Sequence, residues 1–152
     1  MAPSLGADLG YTLLTMTDSG PIYLTKAEES LRGAESEFAQ GRYNNAAKRC
    51  YYACFQAAVA ALHYASIAPR GGRSGWGHAF VQAEFVGRLI HRRRLYSTSL
   101  RQLLGRNLTL RHTADYAPDL VTQTQAARAL QRTQDFLAAI QEQVRAHESR
   151  TT

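Results

Sequence analysis

Apolar residues recur every three or four positions through most of the chain, and nowhere do they alternate as in a half-buried strand. The first sustained stripe, Leu24, Ala27, Leu31, Ala34 and Phe38, predicts a helix over Leu24–Ala39. Thr25 with Glu28 has the spacing of a capping box, and Gly41 follows as a stop. Ala47, Cys50, Tyr51, Cys54, Ala58, Ala61 and Leu62 predict a second helix, Tyr43–Ala65. Its alanines let neighbouring helices approach closely, so it is the expected central element. Phe80, Ala83, Phe85, Val86 and Ile90 predict a third helix, His78–Arg93. Tyr96-Ser97-Thr98-Ser99 breaks the pattern and can cap a fourth helix, which runs to about Ala114 through Leu100, Leu103, Leu104, Leu108 and Leu110. Gly105 is a weak point inside it, and Pro118 ends it. Thr122 or Thr124 caps a last helix to about His147, with Ala126, Leu130, Phe136, Leu137, Ile140 and Val144 apolar.

The fold class that follows is all-α, a four- to five-helix antiparallel bundle over residues 23–148. Residues 1–22 mix Gly, Ser, Thr, Asp and Pro without a sustained period and are expected to be an N-terminal arm; residues 149–152 are a short tail. No apolar run is long enough for a membrane span, and the first residues lack the basic start and apolar core of a signal peptide. A cytoplasmic protein is expected. Cys50 and Cys54 lie one helical turn apart and read as small core residues.

Charge changes the picture more than composition does. The chain carries a formal +6. Between Ala68 and His112 stand nine arginines, Arg70, Arg73, Arg88, Arg92, Arg93, Arg94, Arg101, Arg106 and Arg111, against one acid, Glu84. A concentrated arginine region points to an anionic partner, with nucleic acid the leading candidate. Against this, arginine is simply the default cation of a chain whose only lysines are Lys26 and Lys48.

The densest chemistry is Arg111-His112-Thr113-Ala114-Asp115-Tyr116 at the end of the fourth helix. Arg111 can clamp a phosphate bidentately or pair with Asp115 one turn on. His112 suits proton transfer as a general base or acid; otherwise it is an exposed helix-end histidine. Asp115 orients its neighbours or caps the turn before Pro118. Tyr116 holds a phosphate, stacks a base or takes a modification, unless it belongs to a dimer seam. Asn107 lies one turn before Arg111, and Arg106 stands six residues before His112. A second group is Arg70, Arg73 and Trp76 in a Gly-rich loop with His78 at the start of the third helix, where the tryptophan can stack a base or plug the bundle's end. Arg92, Arg93 and Arg94 form a backbone-phosphate patch or complement a helix dipole. Tyr51 and Tyr52 suit core and interface, although Tyr52 with Arg49 can line a groove facing Arg111. His63, His78, His91, His112 and His147 are scattered, so no metal site is expected, and no cofactor motif occurs.

Three blocks together resemble the HEPN family of small helical-bundle proteins. They are Ala27-Glu28-Glu29-Ser30-Leu31 followed by Gly41-Arg42-Tyr43-Asn44-Asn45-Ala46-Ala47; Arg49 to Ala58; and Arg111 to Tyr116 before a final helix. The resemblance spans about residues 24–147 and implies an HEPN-like bundle that dimerises. It further implies an RNA-binding or RNA-cleaving protein, some members working beside a nucleotidyltransferase-fold antitoxin partner in toxin–antitoxin or defence systems. Active members carry an arginine and, after four to six intervening residues, a histidine; two copies form a metal-independent ribonuclease site. Here the fifth residue after Arg111 is Tyr116, and the histidine is displaced to position 112.

Two functional expectations follow. The first is a homodimeric RNA-binding, metal-independent endoribonuclease that leaves 2′,3′-cyclic phosphate ends, with Arg111, His112, Asp115 and Tyr116 at its centre. The second is a non-catalytic dimeric module that docks a nucleotidyltransferase-type partner or senses a nucleotide.

Overall fold

The computed structural model describes residues 5–69 and 75–151, with side chains from residue 19 to residue 150 within those ranges. It is helical throughout, with no strand among the described residues. The helices are α1 (Leu5–Ala39), α2 (Tyr43–Tyr64), α3 (His78–Glu84), α4 (Leu103–Tyr116) and α5 (Gln123–Thr151).

Helix α1 begins well before Leu24, where its apolar stripe starts, and it contains Pro21. Proline removes a single backbone donor, and Pro21 is exposed. The added turns dock closely. A Cβ on Gly20 would stand 2.9 Å from the Tyr64 ring, and Tyr23 stacks on His63 with centroids 5.5 Å apart. Residues 5–22 of the expected N-terminal arm are continuous with the first helix.

The turn between α1 and α2 is a Schellman motif. Gly41 has φ +75°, Arg42 N–H donates to the Glu37 carbonyl at 2.9 Å, and Gly41 N–H to that of Phe38 at 3.0 Å. The same pattern closes α2, where Ser66 adopts φ 59° and Ile67 N–H reaches the Leu62 carbonyl at 2.9 Å. At the start of α5, Thr122 Oγ1 accepts from Gln125 N–H at 3.1 Å, and Gln125 Oε1 accepts from Thr122 N–H at 3.0 Å. This reciprocal capping box settles the Thr122-or-Thr124 alternative in favour of Thr122.

Helix α2 is central, packing on α1, α3, α4 and α5. Ala46, Ala47, Ala53, Ala57, Ala58, Ala60 and Ala61 are all buried on it. The main core sets Phe85 against Phe136 at 5.2 Å and against Tyr96 at 5.1 Å. Burying one such phenyl ring stabilises the fold by roughly 1.5–3 kcal/mol.

The third predicted helix departs from plan after Glu84. The chain widens into a π-helical segment, Phe85–Arg92, that ends with Arg93 N–H donating to the Arg88 carbonyl at 2.9 Å. A five-residue hydrogen-bond spacing puts Phe85 and Ile90 on one face, and both are buried, with Leu89 beside them. The fourth helix starts later than expected, because Thr98–Leu100 forms a short 3-10 turn before α4.

Candidate functional site

Arg111 leaves α4 toward α2. Its guanidinium carbon lies 4.9 Å from the Tyr51 ring centre and 5.1 Å from that of Tyr52, a double cation–π contact. Its Nε is 3.5 Å from Asp115 Oδ2. The other carboxylate oxygen, Oδ1, accepts the Lys48 ammonium at 2.8 Å. The Lys48 hydrogen bond, opposed in part by desolvation and helped by Arg111, holds the Asp115 carboxyl below the usual carboxylate range. One carboxylate thus ties α4 to α2 and fixes Arg111, whose side chain keeps 27% of its surface exposed.

Two imidazoles flank this arginine. His112 is exposed on α4, its ring 6.0 Å from that of Tyr116. His78 opens α3, and its Nδ1 lies 3.3 Å from Tyr51 Oη. Burial, with the nearby His112 charge, lowers the His78 pKa below the ordinary histidine value. Burial raises the Tyr51 phenol, against the pull of Arg111. The result is a surface cluster with two cations, one carboxylate, three phenols and two imidazoles contributed by three helices. Such a set can grip a phosphate and exchange a proton.

The structure sorts the sequence candidates into several groups. Arg111, His112, Asp115 and Tyr116 are together, and His78 joins them through Tyr51 rather than through its loop. Tyr52 faces Arg111 as anticipated, but Arg49 lies along α1 beside Gly33. Asn107 is not at the surface. It is fully buried, and its amide nitrogen donates to Thr133 Oγ1 and Cys54 Sγ, both at 3.0 Å. Its oxygen accepts from Arg132 at 3.2 Å. A nucleic acid cannot reach it without opening the core, so its expected role as a nucleic-acid contact is corrected to that of a core anchor.

Trp76 packs edge-on to His63 at 4.9 Å and near Phe80 at 6.0 Å, closing the bundle's end. Arg92 at the end of the π-helical segment and Arg93 and Arg94 after it are exposed, with Arg93 donating to the Ala65 carbonyl at 3.0 Å. Arg106 is exposed on a different face of α4 and donates to Gln102 Oε1 at 3.1 Å. Arg70 and Arg73 lie outside the described residues. Cys50 and Cys54 are free and buried, and burial pushes their thiols up to about 11 and about 12, so neither is a ready nucleophile.

Sequence reasoning missed Lys48. It stands three residues before Tyr51 and four before Tyr52, on the face those tyrosines occupy. That spacing was legible; what was not legible is which helix the face meets. Among the described residues no group of three or more His, Cys, Asp or Glu is placed to hold a metal ion. No helix among them is long and apolar enough to cross a membrane.

The sequence pattern of the HEPN domain matches residues 21–143, more than three quarters of the chain. With the all-α bundle, this places the protein in the HEPN domain family. Proteins of that family are generally ribonuclease- or toxin-like or nucleotide-related, and they commonly dimerise and bind RNA. No curated protein matches the chain.

Proposed function

We propose that this protein binds RNA and cleaves it without a metal ion, as the toxin or effector half of a toxin–antitoxin or defence pair. The observation that carries this reading is the fixed placement of Arg111. Two aromatic faces and a shared carboxylate hold it, and two imidazoles lie beside it. In this reaction Arg111 and Lys48 bind the scissile phosphate and stabilise the charge that builds on it. His112 takes the proton of the 2′-hydroxyl, the 2′-oxygen bonds to phosphorus, and the bond to the 5′-oxygen breaks. In-line displacement places the departing oxygen opposite the attacking one, so the second copy in a homodimer supplies the imidazolium that protonates it. The products are a 2′,3′-cyclic phosphate and a 5′-hydroxyl. Incubating wild type and Arg111→Ala with mixed RNAs in EDTA, then analysing the product termini, tests the assignment. Cleavage that persists in the variant removes Arg111 from the site.

A second reading is supported by a separate observation. Tyr116 and Tyr52 of this cluster are 79% and 40% exposed, and Leu120, four residues after Tyr116, is 77% exposed. Tyr116 also occupies the position where an active family member carries histidine. These side chains suit a dimer seam, or the docking of a nucleotidyltransferase-type partner on a non-catalytic module. Light scattering of Tyr116→Ala and Leu120→Asp distinguishes the readings: a lost oligomer with no ribonuclease activity in wild type favours the module.

A further inference from the structure

A second cluster of cations lies on the other side of α4. Arg101 and Arg106, at the start of the helix, meet Arg132 of α5 across a groove of about 680 Å³. Gln82, Gln102, Gly105 and Thr109 complete its lining. The face is distinct from that of Arg111, because five residues of helix separate Arg106 from Arg111, about 140° of rotation.

The electrostatics of this groove are uncompensated. Among the described residues no carboxylate lies within 4.0 Å of Arg101, Arg106 or Arg132. Asp135 shares the adjoining cavity with Arg106 and Arg132 but ion-pairs with neither; its Oδ1 accepts from Gln131 at 3.0 Å. Arg106 is held by the Gln102 amide and Arg132 by the Asn107 amide, both neutral acceptors. Burial, with Arg106 and then Arg128 as neighbouring like charges, depresses the Arg132 pKa, although a guanidinium keeps its proton. Its Nε is buried without a partner among the described residues. Gathering like charges beside a half-buried guanidinium is unfavourable unless an anion completes the site. The floor is also open: a Cβ on Gly105 would find nothing within 4 Å. The guanidiniums and the Gln82 and Gln102 amides around an open backbone make a set of donors suited to phosphate oxygens, while the Thr109 hydroxyl donates to the Gly105 carbonyl at 3.0 Å.

We infer that this groove is a second phosphate-binding site, seating the sugar–phosphate backbone of an RNA strand away from Arg111. Arg101 and Arg106 hold successive phosphates, and Arg132, aimed by Asn107, fixes the strand's position. Arg128, one turn before Arg132 on α5, extends the stripe. The inference rests on RNA as the ligand but not on cleavage. It makes the groove a binding surface that works whether or not the Arg111 centre is active.

The test is fluorescence polarisation with a labelled, 2′-O-methylated single-stranded RNA, which cannot be cleaved. The variants are Arg101→Gln/Arg106→Gln, both exposed positions, and Arg32→Gln/Arg145→Gln, which removes the same charge elsewhere. Circular dichroism melts establish that both fold. The groove pair should weaken binding about tenfold or more and reduce the salt slope by about 1.4, for two lost single-strand phosphate contacts. The control pair should change affinity less than about threefold. Equal losses from both pairs, or an unchanged salt slope in the groove pair, overturn the groove while leaving the RNA reading standing. Failure of the wild type to bind RNA overturns both. Binding that survives in Arg111→Ala but falls in the groove pair separates this site from the catalytic proposal.

Discussion

Arg106 and Arg111 share one helix and differ in almost everything else. Arg111 is wedged between two tyrosine rings and shares Asp115 with Lys48. Arg106 is exposed and held by one glutamine amide. Arg111 has exchanged part of its charge for position, and Arg106 has kept its charge and its mobility. A guanidinium that must meet a developing charge at a fixed point benefits from the first arrangement, because its reorganisation is complete before the reaction. A guanidinium that tracks a flexible polyanion benefits from the second, because a neutral tether leaves its whole field available. Asn107 lies between them in the chain and fixes Arg132, which faces the groove that Arg106 lines.

The largest expected effect breaks the comparison on the Arg111 side. Arg111→Ala should lower cleavage by about a hundredfold or more, the order seen when one pre-placed charge donor is removed. Arg106→Ala should leave cleavage of a saturating substrate within about threefold, since it acts on binding rather than on the charge formed in the reaction. Single-turnover rates at saturating RNA measure both. Comparable rate losses in the two variants would show that the faces do not divide the labour in this way.

Next in size is Asn107→Ala. The change leaves the Thr133 hydroxyl, the Cys54 sulfur and the Cys50 carbonyl without a shared donor and frees Arg132. The expected cost is about 2–3 kcal/mol, from buried polar groups left unpaired. Denaturant melts measure it. A cost below about 1 kcal/mol would mean that Arg132 is positioned by packing alone.

Acidity separates the two faces with a smaller effect. His78, beside Arg111, and His63, at the bundle's end, both have pKa values lowered by burial. As pH falls below about 6.5, the unfolded chain takes up these protons before the folded one does, so stability falls with pH down to the folded values. The Tm of wild type should therefore drop between pH 7.5 and pH 5.5, and His63→Phe and His78→Asn should each flatten that slope. The lining of the arginine groove contains no histidine, so RNA affinity should stay nearly constant over the same range. A gain in affinity as the pH falls, with imidazolium charge building beside Arg111, would tie RNA binding to that face instead.

Much of the fold was legible because helical burial writes a period into the chain. The stripes of the second and last helices, the stop at Gly41 and Thr122 as one of the two offered caps correspond to observed elements, whereas the Thr25–Glu28 capping box does not, because α1 runs through it. The parts that were not legible depend on tertiary partners. Residues 5–22 carry no stripe, yet the helix extends through them and Gly20 fits against Tyr64. The π-helical segment reflects which face of Phe85–Ile90 meets the core, and an α-periodic reading of single residues does not contain it. Arg111, His112, Asp115 and Tyr116 were visible because they are adjacent in sequence. Lys48, Tyr51 and His78 come from α2 and α3, and only packing brings them to Arg111. Asn107 shows the converse: its place one turn from Arg111 pointed to the site, but its side chain turns into the core.

The smallest expected effect probes the floor of the groove. Gly105 lies inside α4, where glycine is less favourable than alanine by about 0.5–1 kcal/mol. An added Cβ meets no atom within 4 Å, so Gly105→Ala should raise stability by about that amount. The same methyl group stands where a phosphate would approach the backbone between Arg101 and Arg106. RNA affinity should therefore fall by about two- to threefold even as the protein becomes more stable, a loss small enough to come from one displaced contact. The two readouts move in opposite directions only if the ligand reaches the helix backbone. A gain in stability with unchanged affinity would place the strand higher, on the guanidinium tips of Arg101 and Arg106, and would leave Arg132 without a direct contact.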